Sequence, residues 1–253
     1  MFKDTFDAAA NGAVKKSTFL KSNPLGYFVV SMLAGIYVGV GNLLTNVIGG
    51  MLGSSPVTKL VMGFAFSVAL SLVIFAGAEL FTGNNMVMAA GILKKKVTVF
   101  DTLKLWAICW CGNICGAIVL ALLFHFSGLN NEATSAFLAH GAMVKMSLPV
   151  TELIIRGMIC NLLVCLGVWC SLKCKTESAV LIMVFWCIFT FVVLGGEHSV
   201  ANMTQLTTAL LDPAGENVTI GGYFYNLIAV TFGNILGGIL LVTLPYYAAS
   251  RKD

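Results

Sequence analysis

Six apolar runs, at 25 to 52, 57 to 79, 103 to 126, 149 to 172, 178 to 196 and 221 to 247, dominate this chain of 253 residues. Crossing a hydrocarbon layer ~30 Å thick takes roughly 20 helical residues, and each run is about that long or longer. Inside lipid every backbone N–H and C=O must find a partner within its own segment or a closed barrel, and uninterrupted runs without a two-residue period are helices. Hydrophobic residues make up 58% of the chain and charged residues 10%, against about 25% charged in a soluble domain. The fold expected is an all-α membrane protein, a single transmembrane channel domain over 1–253 with six spans. Two further apolar stretches, 86 to 93 and 199 to 211, are too short to span.

The basic residues lie between the runs and set topology. With a cytoplasmic N-terminus, Lys3, Lys15, Lys16, Lys21, Lys94, Lys95, Lys96, Lys104, Lys173, Lys175, Arg251 and Lys252 fall inside, and only Lys59, Lys145 and Arg156 fall outside. That asymmetry predicts cytoplasmic termini in a multi-pass protein of the inner (plasma) membrane. Because the charge is spread over loops and not gathered on one soluble face, nucleic acid is not an expected partner. The first residues lack the apolar core of a signal peptide. Instead Phe2, Phe6, Ala10 and Ala13 share a helical stripe beside lysines, which predicts a cytoplasmic surface helix over 1–22 lying on anionic membrane lipid.

Three short matches relate the two halves of the chain. GNLLT around Asn42 pairs with CNLLV around Asn161 (161 − 42 = 119). Glu79 and Asn84 pair with Glu197 and Asn202 (197 − 79 = 118), and GNICG around Asn113 pairs with GNILG around Asn234 (234 − 113 = 121). The reading is two repeats, 25–127 and 149–247, of three spans each; an odd number inverts the second relative to the first. Inverted repeats place a solute path near the midplane where paired broken helices meet. The interruptions AELFTGNNM (78 to 86) and GGEHSVANM (195 to 203) are therefore the pore candidates, since irregular backbone at membrane depth persists only in protein or beside a watery cavity.

At these breaks Thr82 and Ser199 are placed to cap two half-helices, whose N-termini would bring partial positive charge to the midplane and favour an anion. His198 is the one histidine inside a span. An imidazole titrates near pH ~6.5 and could donate a hydrogen bond or a proton to a passing anion. On that reading His198→Asn flattens the pH dependence of flux between about pH 5.5 and 7.5. Glu79 and Glu197 could form a proton relay or cation site, or accept backbone N–H bonds and fix the broken helices; their symmetric recurrence favours the second. Eight cysteines form no paired CxxC and read as small packing residues. The Gly-flanked Asn42, Asn113, Asn161 and Asn234 read as interhelical hydrogen-bonding groups, with Asn161 also a candidate to face the solute. Neither a metal nor a cofactor is expected.

At these same residues the chain resembles the formate/nitrite transporter family, through NPLGYFVVSMLAGIYVGVG (23 to 41), AELFTGN (78 to 84), CNLLVCLGVW (160 to 169) and GGEHSVANMT (195 to 204). The wording is nearest its nitrite and hydrosulfide branches. The resemblance implies homopentamers of aquaporin-like protomers, each passing small monovalent weak-acid anions such as nitrite, formate or hydrosulfide, and no enzymatic activity. It puts the central histidine on His198 with Asn202 one turn on, and a mobile loop on Leu80, Phe81 and Thr82. The apolar constrictions fall on Phe66, Leu70, Val164 and Phe191, and the vestibule lysine on Lys145. An aquaporin-type facilitator is the alternative, but its Asn-Pro-Ala tripeptide does not occur here. A membrane-embedded enzyme using His198 and Glu197 lacks a second histidine within a span.

Overall fold

The computed structural model of the protein describes residues 2–251; Lys252, counted above among the basic residues, lies outside them. Among the described residues there are ten helices. They are α1 (Lys3–Ser22), α2 (Pro24–Leu52), α3 (Thr58–Gly77), α4 (Phe81–Leu93), α5 (Val99–Phe126), α6 (Glu132–Ser147), α7 (Val150–Lys173), α8 (Glu177–Leu194), α9 (Ser199–Leu211) and α10 (Ile220–Ser250). Six of them, α2, α3, α5, α7, α8 and α10, are long and apolar enough to cross a membrane. Their ends lie where the sequence supplies caps. Asn23 accepts from the Gly26 amide with Pro24 just inside the helix, Thr98 and Asp101 form a capping box, and Thr176 and Thr219 accept from the third residue on, each satisfying an otherwise orphaned N–H. The fold is the expected all-α membrane protein with inverted three-helix repeats and two broken helices.

Two breaks interrupt the spans. Helix α3 closes in a π-helical turn over Val73–Gly77 and α8 ends at Leu194. At both ends the chain turns through a left-handed glycine, Gly77 at φ +79° and Gly195 at φ +81°, a conformation that costs an L-residue about 1–2 kcal/mol. A few extended residues then lead into the half-helices α4 and α9.

The structure re-registers the repeat. The backbone carbonyls that receive the first break lie on α2, and those that receive the second lie on α7: the Glu79 amide donates to the Val30 carbonyl and the Glu197 amide to the Arg156 carbonyl. Likewise Asn113 donates to the Ser31 carbonyl and Asn234 to the Gly157 carbonyl. Both pairs differ by 126 (156 − 30, 157 − 31), as do the helix starts Pro24 and Val150. The structural counterpart of Asn161 is therefore Gly35, not Asn42, and the GNLLT/CNLLV match is coincidental. The matches at Glu79/Glu197 and Asn113/Asn234 hold.

Tight helix seams carry the frame. A Cβ on Gly116 of α5 would run into the Met32 carbonyl of α2, and one on Gly237 of α10 into the Met158 carbonyl of α7. Small residues at these crossings let the backbones touch, the usual solution where lipid offers no hydrophobic driving force between helices.

The surface-helix expectation needs correction. The stripe of α1 faces protein: Phe6, Ala10 and Ala13 are buried, and Phe6 packs on Trp169 and Tyr247 beneath it. The helix lies along α4, α2 and α7, and Lys94 Nζ bonds Asp7 at 2.7 Å. Its counterpart α6 lies between the two expected repeats, where no element is expected from the sequence. Leu138, Ala139, Ala142 and Met146 form its buried stripe, and Asn131 caps it through the Thr134 amide.

Candidate functional site

The two breaks are held by the same device. Asn113 Oδ1 accepts from the Phe81 amide at 3.0 Å while its Nδ2 donates to the Glu79 carbonyl at 2.9 Å. Asn234 repeats this on the Ser199 amide and the Glu197 carbonyl at 3.0 and 2.9 Å. One buried amide thus satisfies an orphan donor and an orphan acceptor at each half-helix start, which in lipid would otherwise cost several kcal/mol apiece. The sequence reading of these asparagines as interhelical groups agrees with this.

The expected hydroxyl caps are not formed. Thr82 lies inside the first turn of α4, behind Leu80, and the side chain of Leu80 makes no capping bond. At α9 the cap is His198, whose Nδ1 accepts from the Ala201 amide at 3.1 Å, while the Ser199 hydroxyl is buried without a partner among the described residues. Since a backbone N–H can only donate, Nδ1 is committed as an acceptor and the ring proton sits on Nε2. That nitrogen lies 3.0 Å from Thr82 Oγ1 of the other half-helix. Thr82 and His198 thus meet across the repeat interface.

Both acids sit beside a lysine from a helix outside the six spans. Lys16 Nζ of α1 donates to both oxygens of Glu79 at 2.7 and 2.8 Å, with Tyr27 and Asn84 adding bonds at 3.1 and 2.9 Å. Lys145 Nζ of α6 donates to Glu197 Oε1 at 2.8 Å, and Asn202 Nδ2 donates to Glu197 Oε2 at 2.7 Å. The carboxylates are therefore bound by side chains and not, as expected, by backbone amides. Lys145 is not a free exposed charge, and its partner role on the other side belongs to Lys16, which the sequence reading did not single out.

Between these pairs lie three cavities, the central one very small. A funnel of about 460 Å³ reaches Lys16, Glu79, Leu70 and Leu80 from one side. A second, of about 310 Å³, reaches Lys145, Glu197, Asn202, Phe66, Phe191 and His198 from the other. They are separated by a chamber of about 10 Å³, the room of roughly one water. Leu70 and Leu80 border the first funnel and the chamber; Phe66 and Phe191 border the second funnel and the chamber, their rings edge to face at 5.8 Å.

Leu80, Leu70, Phe66, Phe191, Val164 and His198 therefore converge as expected. Phe81 does not: it is buried against Trp106 on the far side of α4, with ring centroids 6.2 Å apart. Asn161 is set behind the path, where its Nδ2 contacts the Thr82 carbonyl, Asn85 Oδ1 and the Asn234 carbonyl. The chamber also contains Val38, Ala69 and Ile188, missed earlier. With the corrected registers Val38 pairs with Val164 (164 − 38 = 126) and Leu70 with Ile188 (188 − 70 = 118), while Leu80 stands opposite His198 (198 − 80 = 118). Repeat arithmetic gives Leu70–Ile188 from the offset of 118 already read at Glu79 and Glu197, and would have found Val38–Val164 had the α2/α7 offset been right. All eight cysteines are unbridged, and Cys109 Sγ donates to the Glu79 carbonyl at 3.2 Å.

The sequence profile of the family described as Formate/nitrite transporter matches residues 3–248. The chain is 37% identical to the Nitrite transporter NirC of Salmonella typhimurium over all of its own length and 94% of that protein. It is 35% identical to a Probable formate transporter of Methanothermobacter thermautotrophicus, with 91% of each covered. Among solved structures it resembles an FNT family ion channel at a TM-score of 0.94 and 35% identity, over 98% of this chain and 99% of that one. It also resembles a Pentameric formate channel with formate bound at a TM-score of 0.80 and 26% identity, over 92% of this chain and 99% of that one. These relatives are transporters and channels, not enzymes. A match running nearly end to end in both sequence and fold leads to one conclusion: this chain is a multi-pass membrane protein that belongs to the formate/nitrite transporter family.

Proposed function

We propose that the chain is a channel for small monovalent weak-acid anions, nitrite, formate or hydrosulfide, with one path per protomer of a homopentamer. The observation that carries this reading is the pairing of two lysine-flanked funnels with an apolar chamber of about 10 Å³ whose one polar lining residue is His198, bonded in turn to Thr82. Moving a bare anion into such a chamber without compensation would cost up to tens of kcal/mol on the Born estimate. The path reduces that cost with the positive ends of two half-helices, the Nε2–H of His198 and the Thr82 hydroxyl, and the apolar rings admit only a solute small enough to shed its water. A weak acid can also cross the centre as its neutral form. Lys16 and Lys145, each shared with an acid, raise the anion concentration at the two mouths without binding it tightly.

Nitrite is the first solute to test, since the full-length relatives NirC of Salmonella typhimurium and of Escherichia coli, 37% and 38% identical, are named for it. The pentamer is supported by the pentameric assembly named for one structural neighbour. The distribution of basic residues supports the plasma membrane with both termini cytoplasmic, so that the Glu79 mouth faces the cell interior. The test is stopped-flow flux in proteoliposomes. Nitrite, formate and hydrosulfide should equilibrate far faster than in protein-free vesicles while glycerol does not; rapid glycerol flux with no anion flux overturns the reading.

A further inference from the structure

Asn42 loses its repeat partner once the α2/α7 offset is corrected, and among the described residues its bonds stay within its own helix. The Asn42 carbonyl accepts from Thr45 Oγ1 at 2.7 Å and from Asn46 Nδ2 at 2.8 Å. The residue lies on the wall of the Glu197 funnel, together with Asn46 of α2 and Gln205 of α9. These three amides are 6%, 2% and 6% exposed, respectively. Asn46 Nδ2 also contacts Asn42 Oδ1 at 3.2 Å, and Gln205 Nε2 reaches the Leu138 carbonyl at 3.4 Å. That leaves the Asn42 NH2 group and the side-chain carbonyls of Asn46 and Gln205 without a protein partner among the described residues. Buried amide groups are costly unless something bonds them, and here only the contents of the funnel can.

The other mouth shows that the frame does not need amides at these positions. With the α2/α7 offset of 126, Asn42 corresponds to Val168 (168 − 42 = 126). The local bonding agrees: Ser171 Oγ donates to the Val168 carbonyl at 2.7 Å, as Thr45 Oγ1 does to that of Asn42. With the offset of 118, Gln205 corresponds to Val87 (205 − 87 = 118). Val87 and Val168 both line the Glu79 funnel. Equivalent positions of one fold thus carry valines at one mouth and amides at the other. Packing accounts for the valines, whereas polar side chains at membrane depth that no protein group satisfies point to a solute. A Cβ on Gly41, the residue before Asn42, would lie 3.4 Å from the Phe66 ring, and one on Gly39 would lie 2.7 Å from the hydroxyl of Thr204, the residue before Gln205. The amides therefore stand beside the ring of Phe66 and Phe191, where a solute entering the chamber must shed its water.

Resting on the reading of the pore as an anion path, we infer that Asn42, Asn46 and Gln205 form an uncharged subsite for two-oxygen anions, nitrite or a small carboxylate, on the Glu197 side of the Phe66 and Phe191 ring, with no equivalent on the Glu79 side. The Asn42 NH2 group and the second Nε2 hydrogen of Gln205 donate to the oxygens of the anion and replace water there, as carbonyl dipoles replace the hydration shell of a cation in a selectivity filter. The Asn46 and Gln205 carbonyls hold the water that stays or the O–H of the protonated acid. Side-chain amides neither titrate nor carry charge, so the subsite works at any pH and is not screened by salt. Hydrosulfide, whose sulfur is a weak acceptor and which has no second acceptor atom, gains little from it. The subsite thus sorts two-oxygen anions from a sulfur anion before the chamber is reached.

The experiment measures initial entry of nitrite, formate and hydrosulfide against concentration in proteoliposomes. It is run at about 1 M ionic strength, where charges are screened beyond roughly 3 Å and the basic and acidic loops contribute little. The double variant Asn42→Val, Gln205→Val copies the side chains of the other mouth. It should raise the half-saturating concentration for nitrite and for formate about ten-fold, the effect of losing hydrogen bonds to the anion, and that for hydrosulfide by less than about two-fold. Should that variant fail to assemble, Val87→Gln, Val168→Asn, which builds the amides into the Glu79 mouth, is measured in its place and should lower the nitrite and formate values relative to hydrosulfide. A shift of equal size for all three solutes, or unchanged half-saturation in the variant measured, overturns the subsite while leaving the anion path in place. Absence of any nitrite, formate or hydrosulfide flux in the native protein overturns the anion reading, and the subsite with it.

Discussion

At His198 one ring does two jobs. Nδ1 closes the first turn of α9 through the Ala201 amide, and Nε2 reaches Thr82. Gaining a second ring proton would put a donor against the Ala201 N–H, so of the two roles open to His198 from the sequence, this conformation favours the hydrogen-bonding post over the proton donor. Asn is itself a good N-cap, so His198→Asn should fold and assemble. It should lose flux on the order of ten-fold, the effect of one hydrogen bond to a charged group, and keep the native pH profile between about pH 5.5 and 7.5, because that profile then belongs to the solute. A flattened profile in pH-jump flux assays would restore the proton-donor role. Thr82→Val, of similar volume, should lower flux without altering thermal stability by more than a buried hydrogen bond is worth, about 1 kcal/mol.

For the helices, two kinds of glycine should behave differently. A Cβ at Gly77 or Gly195 meets no atom within 4 Å, so Gly195→Ala carries only the left-handed backbone cost of about 1–2 kcal/mol and should give folded, active protein with a modestly lower apparent Tm in detergent. Gly116→Ala drives a methyl into the Met32 carbonyl and must separate α5 from α2. It should lower Tm far more and reduce the yield of assembled protein; equal effects would show that the seam yields more readily than its geometry implies. Helix α1 offers a pH test. Asp7 is held below its ordinary value of 3.8, chiefly by its bond to Lys94. A depressed carboxylate contributes docking stability above its unfolded pKa that is lost as pH falls through the folded one. Proteolytic cutting of α1 should therefore rise only below about pH 4, and Asp7→Asn should abolish that added rise.

Over the whole molecule, selectivity depends on the chamber staying too small for a hydrated ion. Phe191 borders both the Glu197 funnel and the chamber and is buried at 3% exposure. Phe191→Ala should join the two spaces and admit chloride, which the native protein should pass poorly. Measured against nitrite in the same vesicles, an unchanged chloride-to-nitrite ratio would mean that the ring at Leu70 and Leu80 alone provides the barrier.

Six spans and both half-helices were legible in the sequence because each rests on a local pattern, whereas the convergence of Leu80, Leu70, Phe66, Phe191 and Val164 on His198 was expected only through the family resemblance. A run long enough for the bilayer, a polar interruption, and a motif repeated across the break need no knowledge of neighbours. What the sequence could not decide was register between elements. Asn42 and Asn161 share a motif, yet the carbonyls that receive the two breaks set the α2/α7 offset at 126, because buried amides at membrane depth take whichever acceptors the packed helices present. The side of α4 that faces the path was hidden for the same reason. Phe81 turns toward Trp106 while Thr82 turns toward His198, a difference of one residue that only α5 and α9 packed around it can assign. Lys16 and Lys145, 129 apart (145 − 16), become equivalent only when α1 and α6 dock beside the two breaks. Burial of Glu79 and Glu197 then demands a cation at each, a pairing that follows from desolvation in the folded molecule and not from any spacing along the chain.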